Sequence, residues 1–400
     1  MTPPPLVSVI IPTYNSGRFI EDALASVFAQ TYRHFEVIVV DDGSTDDTRE
    51  RIQAFTSQVV YIYQPNQGPA AARNAGFQQC RGDFLVFLDA DDVWLSQCLE
   101  RQVEAFARDP GLGVVYTWWG HIDETGDPLP RIRRPTCRGY VFEQLLLGCF
   151  TVPSVSMIAR ECLDGVGLFD PDLRYADDWD LFLRIAAAEH RFEYIPEVLS
   201  RCRVHSSNLS RPRDSHKRLE IFEFSCRVLN RALLRLASGR RRAPCEVAHR
   251  NLLIGTAYDL IHRGLWREGI ERLAEGVKLQ PRVISRPGFH FGLALHLLPY
   301  GYQTLDELLA RLDSVKEELV ETLRLLFTSP SVSQAVLDQQ RQAWSGLLFV
   351  LAGLYCLRGQ IPTAVALIAK AIWMNPLIPA AALFRSVTGG VNDIRESLHM

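Results

Sequence analysis

Phe84-Leu85-Val86-Phe87-Leu88-Asp89-Ala90-Asp91-Asp92 is the stretch on which the fold turns. Five consecutive large apolar residues without alternation predict a strand buried on both faces, as at the centre of a mostly parallel sheet covered by helices. Three carboxylates among the next four residues end the run. Residues two apart in an extended chain point the same way, so Asp89 and Asp91 project together while Ala90 faces away. Open α/β sheets bind ligands at the carboxyl ends of their strands. Paired hard oxygens there suit Mg²⁺ or Mn²⁺, which can in turn hold a diphosphate. A solvated acidic turn would show the same residues, so the neighbouring segments decide the reading.

Upstream, Val7–Ile11 is a β-branched strand ended by Pro12-Thr13-Tyr14-Asn15. A helix follows from about Phe19 to Gln30, with Ile20, Leu24 and Val27 on one face. Phe35–Val40 predicts a second buried strand, stopped by Asp41-Asp42-Gly43-Ser44-Thr45-Asp46, in which Ser44 or Thr45 can cap the next helix. Val59–Tyr63 reads as a third strand. Gly68-Pro69 opens an Ala-rich helix through Arg73 and Asn74, with proline at a favourable first position. This βαβαβαβ order predicts a doubly wound, mostly parallel sheet with right-handed crossovers. Asn15, Asp41, Asp42, Arg73, Asn74, Asp89 and Asp91 then gather at one sheet edge from four separate loops. Neither Gly-x-Gly-x-x-Gly nor a P-loop is present, so phosphates would be held through a metal rather than a glycine cradle.

Bulk properties bound the classes. Four hundred residues predict two to three domains. Hydrophobic content of 47%, with 22% charged residues, describes a globular chain with a large core. A net charge of −3 argues against nucleic acid as the partner. Nine irregularly spaced cysteines suggest neither a disulfide framework nor a zinc site, and fit a reducing cytosol. No signal peptide or transmembrane run is expected; Phe289–Leu298 is interrupted by His290, Gly292 and His296.

VSVIIPTYNSGRFI, VIVVDDGSTDDT, GPAAARNAG and FLVFLDADD, in this order, resemble a family 2 glycosyltransferase of GT-A fold over roughly residues 5 to 210. The resemblance implies inverting transfer of a sugar from a nucleotide-sugar, a UDP-sugar by this reading, to a saccharide or lipid-linked acceptor hydroxyl. It further implies work on bacterial cell-surface polysaccharide or glycoconjugate. Position by position, Pro12, Thr13 and Tyr14 would line the nucleotide pocket. Asp42, with Asp41 beside it, would accept a hydrogen bond from the base, and Asp89 would face the ribose or metal side. Asp91 would be the direct ligand of Mg²⁺ or Mn²⁺. Asp177-Asp178-Trp179-Asp180-Leu181 resembles the family's Glu-Asp-(aromatic)-Asp-Leu motif, which makes Asp178 the catalytic base. Asp177 stands where the family more often has Glu. Helix-dipole complementarity alone accounts for acids in a first turn, and is the reading of Asp180. Arg203-Val204-His205-Ser206-Ser207-Asn208 resembles Tyr-Arg-x-His-x-x-Asn, with Cys202 in place of tyrosine; His205 is then either a metal-side or a structural histidine.

The basic loop Arg131–Arg138 reads as solvated surface, with reception of an anionic acceptor as its other use. Residues 1–210 are expected to form the catalytic domain and 211–400 an all-α domain. Within the latter, Trp344–Pro376 and, less closely, Leu253–Pro281 resemble tetratricopeptide hairpins. Such units stack on neighbours, so these would pack on the catalytic domain or serve a protein partner. Arg227, Arg231 and Arg235 share a helical face followed by Arg240–Arg242, which reads as a solvated surface or as peripheral contact with the inner membrane face. The non-enzymatic alternative is a repeat scaffold with a decayed transferase domain; Asp42, Asp91 and Asp178 standing together argue against it.

Overall fold

The computed structural model describes residues 3–208, 215–235, 242–262, 264–285, 309–357 and 359–374. The chain divides into Met1–Pro244 and Cys245–Met400. In the first unit the order is β1 (Val7–Thr13), α1 (Ile20–Phe28), β2 (Phe35–Asp41), α2 (Thr48–Gln53), β3 (Val60–Tyr63), α3 (Pro69–Gln79) and β4 (Phe84–Phe87). There follow β5 (Val93–Trp94), α4 (Cys98–Arg108), β6 (Leu112–Ile122), β7 (Pro128–Arg133), α5 (Phe142–Leu147), β8 (Ser156–Ala159), α6 (Arg160–Val166), α7 (Asp177–Ala187) and β9 (Arg191–Arg203).

One sheet runs β3-β2-β1-β4-β8-β6-β9-β5, with β7 paired to β6. The first four strands are parallel, as the alternation of strands and helices predicts. Past β4 the sheet is mixed: β8 enters antiparallel to both β4 and β6, and β9 rejoins parallel to β6. Leu85, Val86, Phe87 and Leu88 are fully buried, so the central run is covered on both faces. The register sets Ile10 beside both Ile38 and Phe87. Thr13, Asp41 and the residues after Phe87 therefore emerge along one edge. Gly76 lets α3 lie close to the sheet, because a Cβ there would stand 2.4 Å from Ile10 Cγ2 and 3.2 Å from Val40 Cγ2. Pro69 occupies the first turn of α3 as expected.

Three expectations change. Neither Ser44 nor Thr45 caps α2; the helix starts at Thr48, and Asp46 accepts the Thr48 N–H and hydroxyl. Arg131–Arg133 belongs to β7 rather than to a loop, because it pairs with the end of β6. Asp180 needs more than the helix dipole, since its carboxylate meets Arg184 Nε at 2.7 Å with both side chains nearly sealed from solvent. The Arg184 guanidinium also donates to the carbonyls of Val166, Gly167 and Leu168.

Helix α8 (Ser215–Arg235) falls in the first unit, where Arg231 pairs with Asp170 and Phe224 packs edge-on against Tyr175. Arg227 lies over the Phe224 ring, so Arg227 and Arg231 both have local partners. Residues 209–214, Arg240, Arg241, Phe289–Leu298 and Pro376 lie outside the described residues.

The second unit contains two helical hairpins. Helix α9 (Arg242–His262) turns at Gly264 into α10 (Trp266–Leu279). Helix Gln340–Leu357 turns at Gly359 into Ile361–Met374. Gly269 and Gly276 sit where α10 meets α9: a Cβ on Gly269 would come within 2.6 Å of Ile261 Cγ1, and one on Gly276 within 2.9 Å of Ile254 Cγ1. Ala352, Ala364 and Ala371 are fully buried at the small-residue positions of the second hairpin. No helix among the described residues is long and apolar enough to cross a membrane.

Candidate active site

The ends of β1 and β2 are bound into one another. Asn15 adopts a left-handed conformation (φ 50°), its N–H donates to Ser44 Oγ, and its Oδ1 accepts the Thr45 N–H. Asp41 accepts the Ser44 N–H at 2.8 Å and the Tyr61 hydroxyl at 2.7 Å. Asp42 accepts from Gln64 Nε2, Gln67 N–H and Gly68 N–H, which draws the loop before α3 against the end of β2. Asn15, Asp41 and Asp42 thus build the edge itself. Pro12 and Thr13 line it, and Tyr14 projects from it, 51% exposed. Among the described residues, Thr13 Oγ1 and Arg73 Nε are buried polar atoms without a hydrogen-bond partner. Native proteins seldom leave such atoms unpaired.

Arg73 ties two distant acidic segments together. Its guanidinium meets Asp89 Oδ1 at 2.7 Å and Asp177 Oδ2 at 2.8 Å, and lies 5.1 Å from the centre of the Phe169 ring. Burial opposes its charge, but Asp89 and Asp177 more than offset this and raise its pKa further. Neighbouring Asn74 is committed to the backbone of Phe169, donating to its carbonyl and accepting its N–H. Asp178 stands half-buried beside this clamp on the first turn of α7. Burial first, then the Asp177 charge, pushes its carboxyl up to about 7, against the Trp179 N–H and Arg73. Trp179 Nε1 donates to Leu145 O at 2.7 Å, which locks that turn to α5. Cys149, just beyond α5, has its thiol raised by burial and by Asp178.

Asp91 and His205 meet from the other side, with Asp91 Oδ2 2.7 Å from His205 Nε2. Asn208 Nδ2 donates to the same oxygen at 3.1 Å. The imidazole packs on Phe19 with ring centres 4.9 Å apart. Behind them lies Arg203, whose side chain is only 2% exposed. It donates through Nε to Asp91 O, pairs with Asp22 at 2.9 Å, and offers its backbone N–H to Asp92 Oδ1. Asp92 is buried, and desolvation with the charges of Asp91 and Asp89 raises it well above the usual carboxylate range.

No group of three or more His, Cys, Asp or Glu able to hold a metal occurs among the described residues. The donor set at Asp91 nevertheless fits a divalent cation of the Mg²⁺ or Mn²⁺ kind. Such ions often take one or two protein ligands and fill the rest of the shell with water and substrate phosphate. Asn15, Asp41 and Asp42 meet one another's loops at the ends of β1 and β2, Arg73 meets Asp89 after β4, and Asn74 faces Phe169 instead. The reading of the sequence passed over Arg203, Asp92 and Asn208. Arg203 and Asn208 lie in the quoted stretch around His205, but nothing in the sequence tells which acids they reach.

The model of glycosyl transferase family 2 matches residues 8–167. The putative teichuronic acid biosynthesis glycosyltransferase TuaG of Bacillus subtilis is 33% identical over 214 residues, covering 52% of this chain and 82% of TuaG. An uncharacterized glycosyltransferase of Rickettsia prowazekii is 31% identical over 212 residues, 51% of this chain and 65% of the relative. The crystal structure of S. aureus TarS superposes with a TM-score of 0.50 at 18% identity, over 76% of this chain and 54% of that one, and supports the GT-A fold. The chain therefore spans less than two thirds of the Rickettsia relative and about half of the TarS chain. Matched along most of TuaG and by the family model, the chain belongs to glycosyl transferase family 2.

Proposed function

We propose that this chain transfers a sugar from a nucleotide-sugar, with a UDP-sugar as the first candidate, to the hydroxyl of a saccharide or lipid-linked acceptor, with inversion. The observation that carries the reading is the Arg73 clamp, which couples the acidic end of β4 to the first turn of α7. An inverting transferase needs a leaving-group side and a base side close to one another, and these are the two segments the clamp joins.

Asp178 is the base in this reading. An alcohol is a poor nucleophile, and removing its proton in the transition state is worth about 10²–10⁴ in rate. A carboxyl raised to about 7 is a stronger proton acceptor than an ordinary aspartate, yet is substantially ionised near neutrality. Asp177 holds Arg73, which keeps the cation from pairing with Asp178 directly. Asp91 and His205 would hold the divalent cation, which supplies positive charge to the departing diphosphate. Arg203 fixes the Asp91 backbone from behind, and Phe19 orients the imidazole. The unpartnered Thr13 hydroxyl and exposed Tyr14 receive the nucleoside, while Asp89, 39% exposed, turns its second oxygen to the donor. The relatives' names support a place in cell-surface polysaccharide synthesis: TuaG, and a chondroitin synthase of Escherichia coli, 30% identical over 240 residues and 33% of its length. The second unit's hairpins, with buried alanines and close-packing glycines, serve in this reading as tetratricopeptide-like surfaces for a protein partner.

A thermal-shift series of the full chain with UDP, GDP and UDP-sugars, with and without Mn²⁺, tests the reading. A ligand of the folded state at about 100 times its Kd adds about 2.7 kcal/mol of stability. A rise in Tm with one nucleoside diphosphate, enlarged by Mn²⁺, is expected; no rise with any of them would overturn the proposal.

A further inference from the structure

Residues 128–142 carry Arg131, Arg133, Arg134 and Arg138 and not one acid, in a chain with net charge −3. The part beyond β7 is tightly held. Trp118 Nε1 donates to Pro135 O at 3.1 Å, and the Tyr116 hydroxyl to Cys137 O at 2.7 Å. Gly139 and Phe192 exchange both backbone hydrogen bonds, at 2.8 and 2.9 Å. The Arg134 guanidinium lies over the Trp118 ring, 5.8 Å from its centre. Ordering a surface segment costs conformational entropy, and here the polar tips of two strand aromatics are spent on it.

Arg134 and Arg138 are exposed and have no ion-pair partner among the described residues, whereas Arg18, Arg51 and Arg108 each meet a nearby acid. The segment also leads to the proposed base. It runs directly into α5, whose Leu145 carbonyl holds Trp179 beside Asp178. From the loop after α5, Phe150 packs on Tyr116 with centres 5.5 Å apart, and half-buried Tyr194 continues the row to Trp118. Tyr116 is fully buried and anchors the cluster from beneath, while Phe150, Tyr194 and Trp118 are half-buried rings, Trp118 lying under Arg134.

We propose that this pinned segment is the acceptor rim and that the acceptor is an anionic saccharide, its carboxylate or phosphate groups held by Arg134 and Arg138 and its sugar faces by the half-buried rings of Trp118 and Tyr194. This rests on the glycosyl-transfer reading and adds the acceptor's chemical class. Arginine suits the task because its planar fork pairs two-fold with either anion. The uncharged remainder of the saccharide needs flat, apolar area, which the rings provide.

The test uses the full chain and the double variant Arg134→Gln/Arg138→Gln in calorimetric titrations. The probes are a hyaluronan oligosaccharide for carboxylate, a ribitol phosphate oligomer for phosphate, a neutral chitooligosaccharide, and phosphatidylglycerol vesicles. The unaltered chain should bind one anionic oligomer about tenfold more tightly than the neutral one, and the double variant should lose about tenfold. Added salt should weaken only the anionic binding. Nucleoside diphosphate binding, measured in parallel, should be the same in both proteins. No preference for either anionic oligomer, a double variant that binds them equally well, or binding to vesicles alone would overturn the proposal. Failure of the unaltered chain to bind any nucleoside diphosphate would instead refute the glycosyl-transfer reading.

Discussion

Replacing Arg73 by methionine removes the cation that pairs with both Asp89 and Asp177 while keeping an aliphatic stem of similar length. The Arg73 side chain is 8% exposed and that of Asp177 11%, at 2.8 Å, so this contact is a buried ion pair. Removing one partner of such a pair typically costs about 3–5 kcal/mol, because the other charge is left buried and uncompensated. The contact to Asp89 adds about 1 kcal/mol at most, since that carboxylate is 39% exposed and screened. A loss of about 3–4 kcal/mol near pH 8 follows. The sign of its pH dependence separates charge from packing. Burial already raises Asp177 above its ordinary value, and Arg73 opposes that rise; Asp178 stands at about 7. Without Arg73 both folded-state values climb further. A carboxyl whose folded pKa is raised stabilises the fold fully below its unfolded pKa, and that contribution is lost as pH rises through the folded value. The deficit of Arg73→Met should therefore shrink markedly from about pH 8 to about pH 5. Urea unfolding of both proteins at the two pH values measures it. A deficit below about 1 kcal/mol, or one that is equal at both pH values, would refute the electrostatic role.

Asp180→Ala should lower stability by about 3 kcal/mol in the same assay, since it strands Arg184 among three carbonyls; nucleotide affinity per folded molecule should be unchanged. Gly269→Ala should destabilise the second unit by about 1–3 kcal/mol from overpacking, exceeding the roughly 1 kcal/mol gained in helix propensity, because its Cβ would meet Ile261 Cγ1 at 2.6 Å and Ala257 O at 3.1 Å. Calorimetry should show the transition of that unit moving down; a more stable variant would contradict the close approach of α9 and α10. In kcat/KM against pH, transfer should rise with pH through an apparent value near 7, the side on which Asp178 loses its proton. A profile flat from about pH 5 to pH 8 would remove Asp178 as a titrating base.

The parallel half of the sheet was legible because its signals are local. Unbroken apolar runs mark Val7–Ile11, Phe35–Val40 and Phe84–Leu88, and Pro69 marks the start of a helix. The antiparallel entry of β8 was not, since four residues, Ser156–Ala159, between two loops carry no periodicity of their own. The acids at the strand ends could be listed from sequence, but not their division of labour. Asp41, Asp42 and Asn15 spend their oxygens on the edge itself, and that depends on Tyr61 from β3, Gln67 and Gly68 from the loop before α3, and Thr45 from the loop after β2. Asp180 looked like a dipole partner because Arg184 four residues on is only an i,i+4 neighbour in sequence; its burial and its three carbonyls are tertiary facts. Arg203 escaped for the same reason, reaching Asp22 across 181 residues.

The most direct test of the central claim is Asp178→Asn, assayed for donor binding and for transfer with one donor–acceptor pair. The substitution keeps size and most hydrogen bonding, including acceptance of the Trp179 N–H, but cannot take up the acceptor's proton. Binding of the nucleoside diphosphate with Mn²⁺ should stay near that of the unaltered chain, because Asp91, His205 and the ends of β1 and β2 are untouched. Turnover should fall by about 10²-fold or more, the loss expected for a missing general base. Near-normal turnover by a folded, donor-binding Asp178→Asn would contradict the assignment.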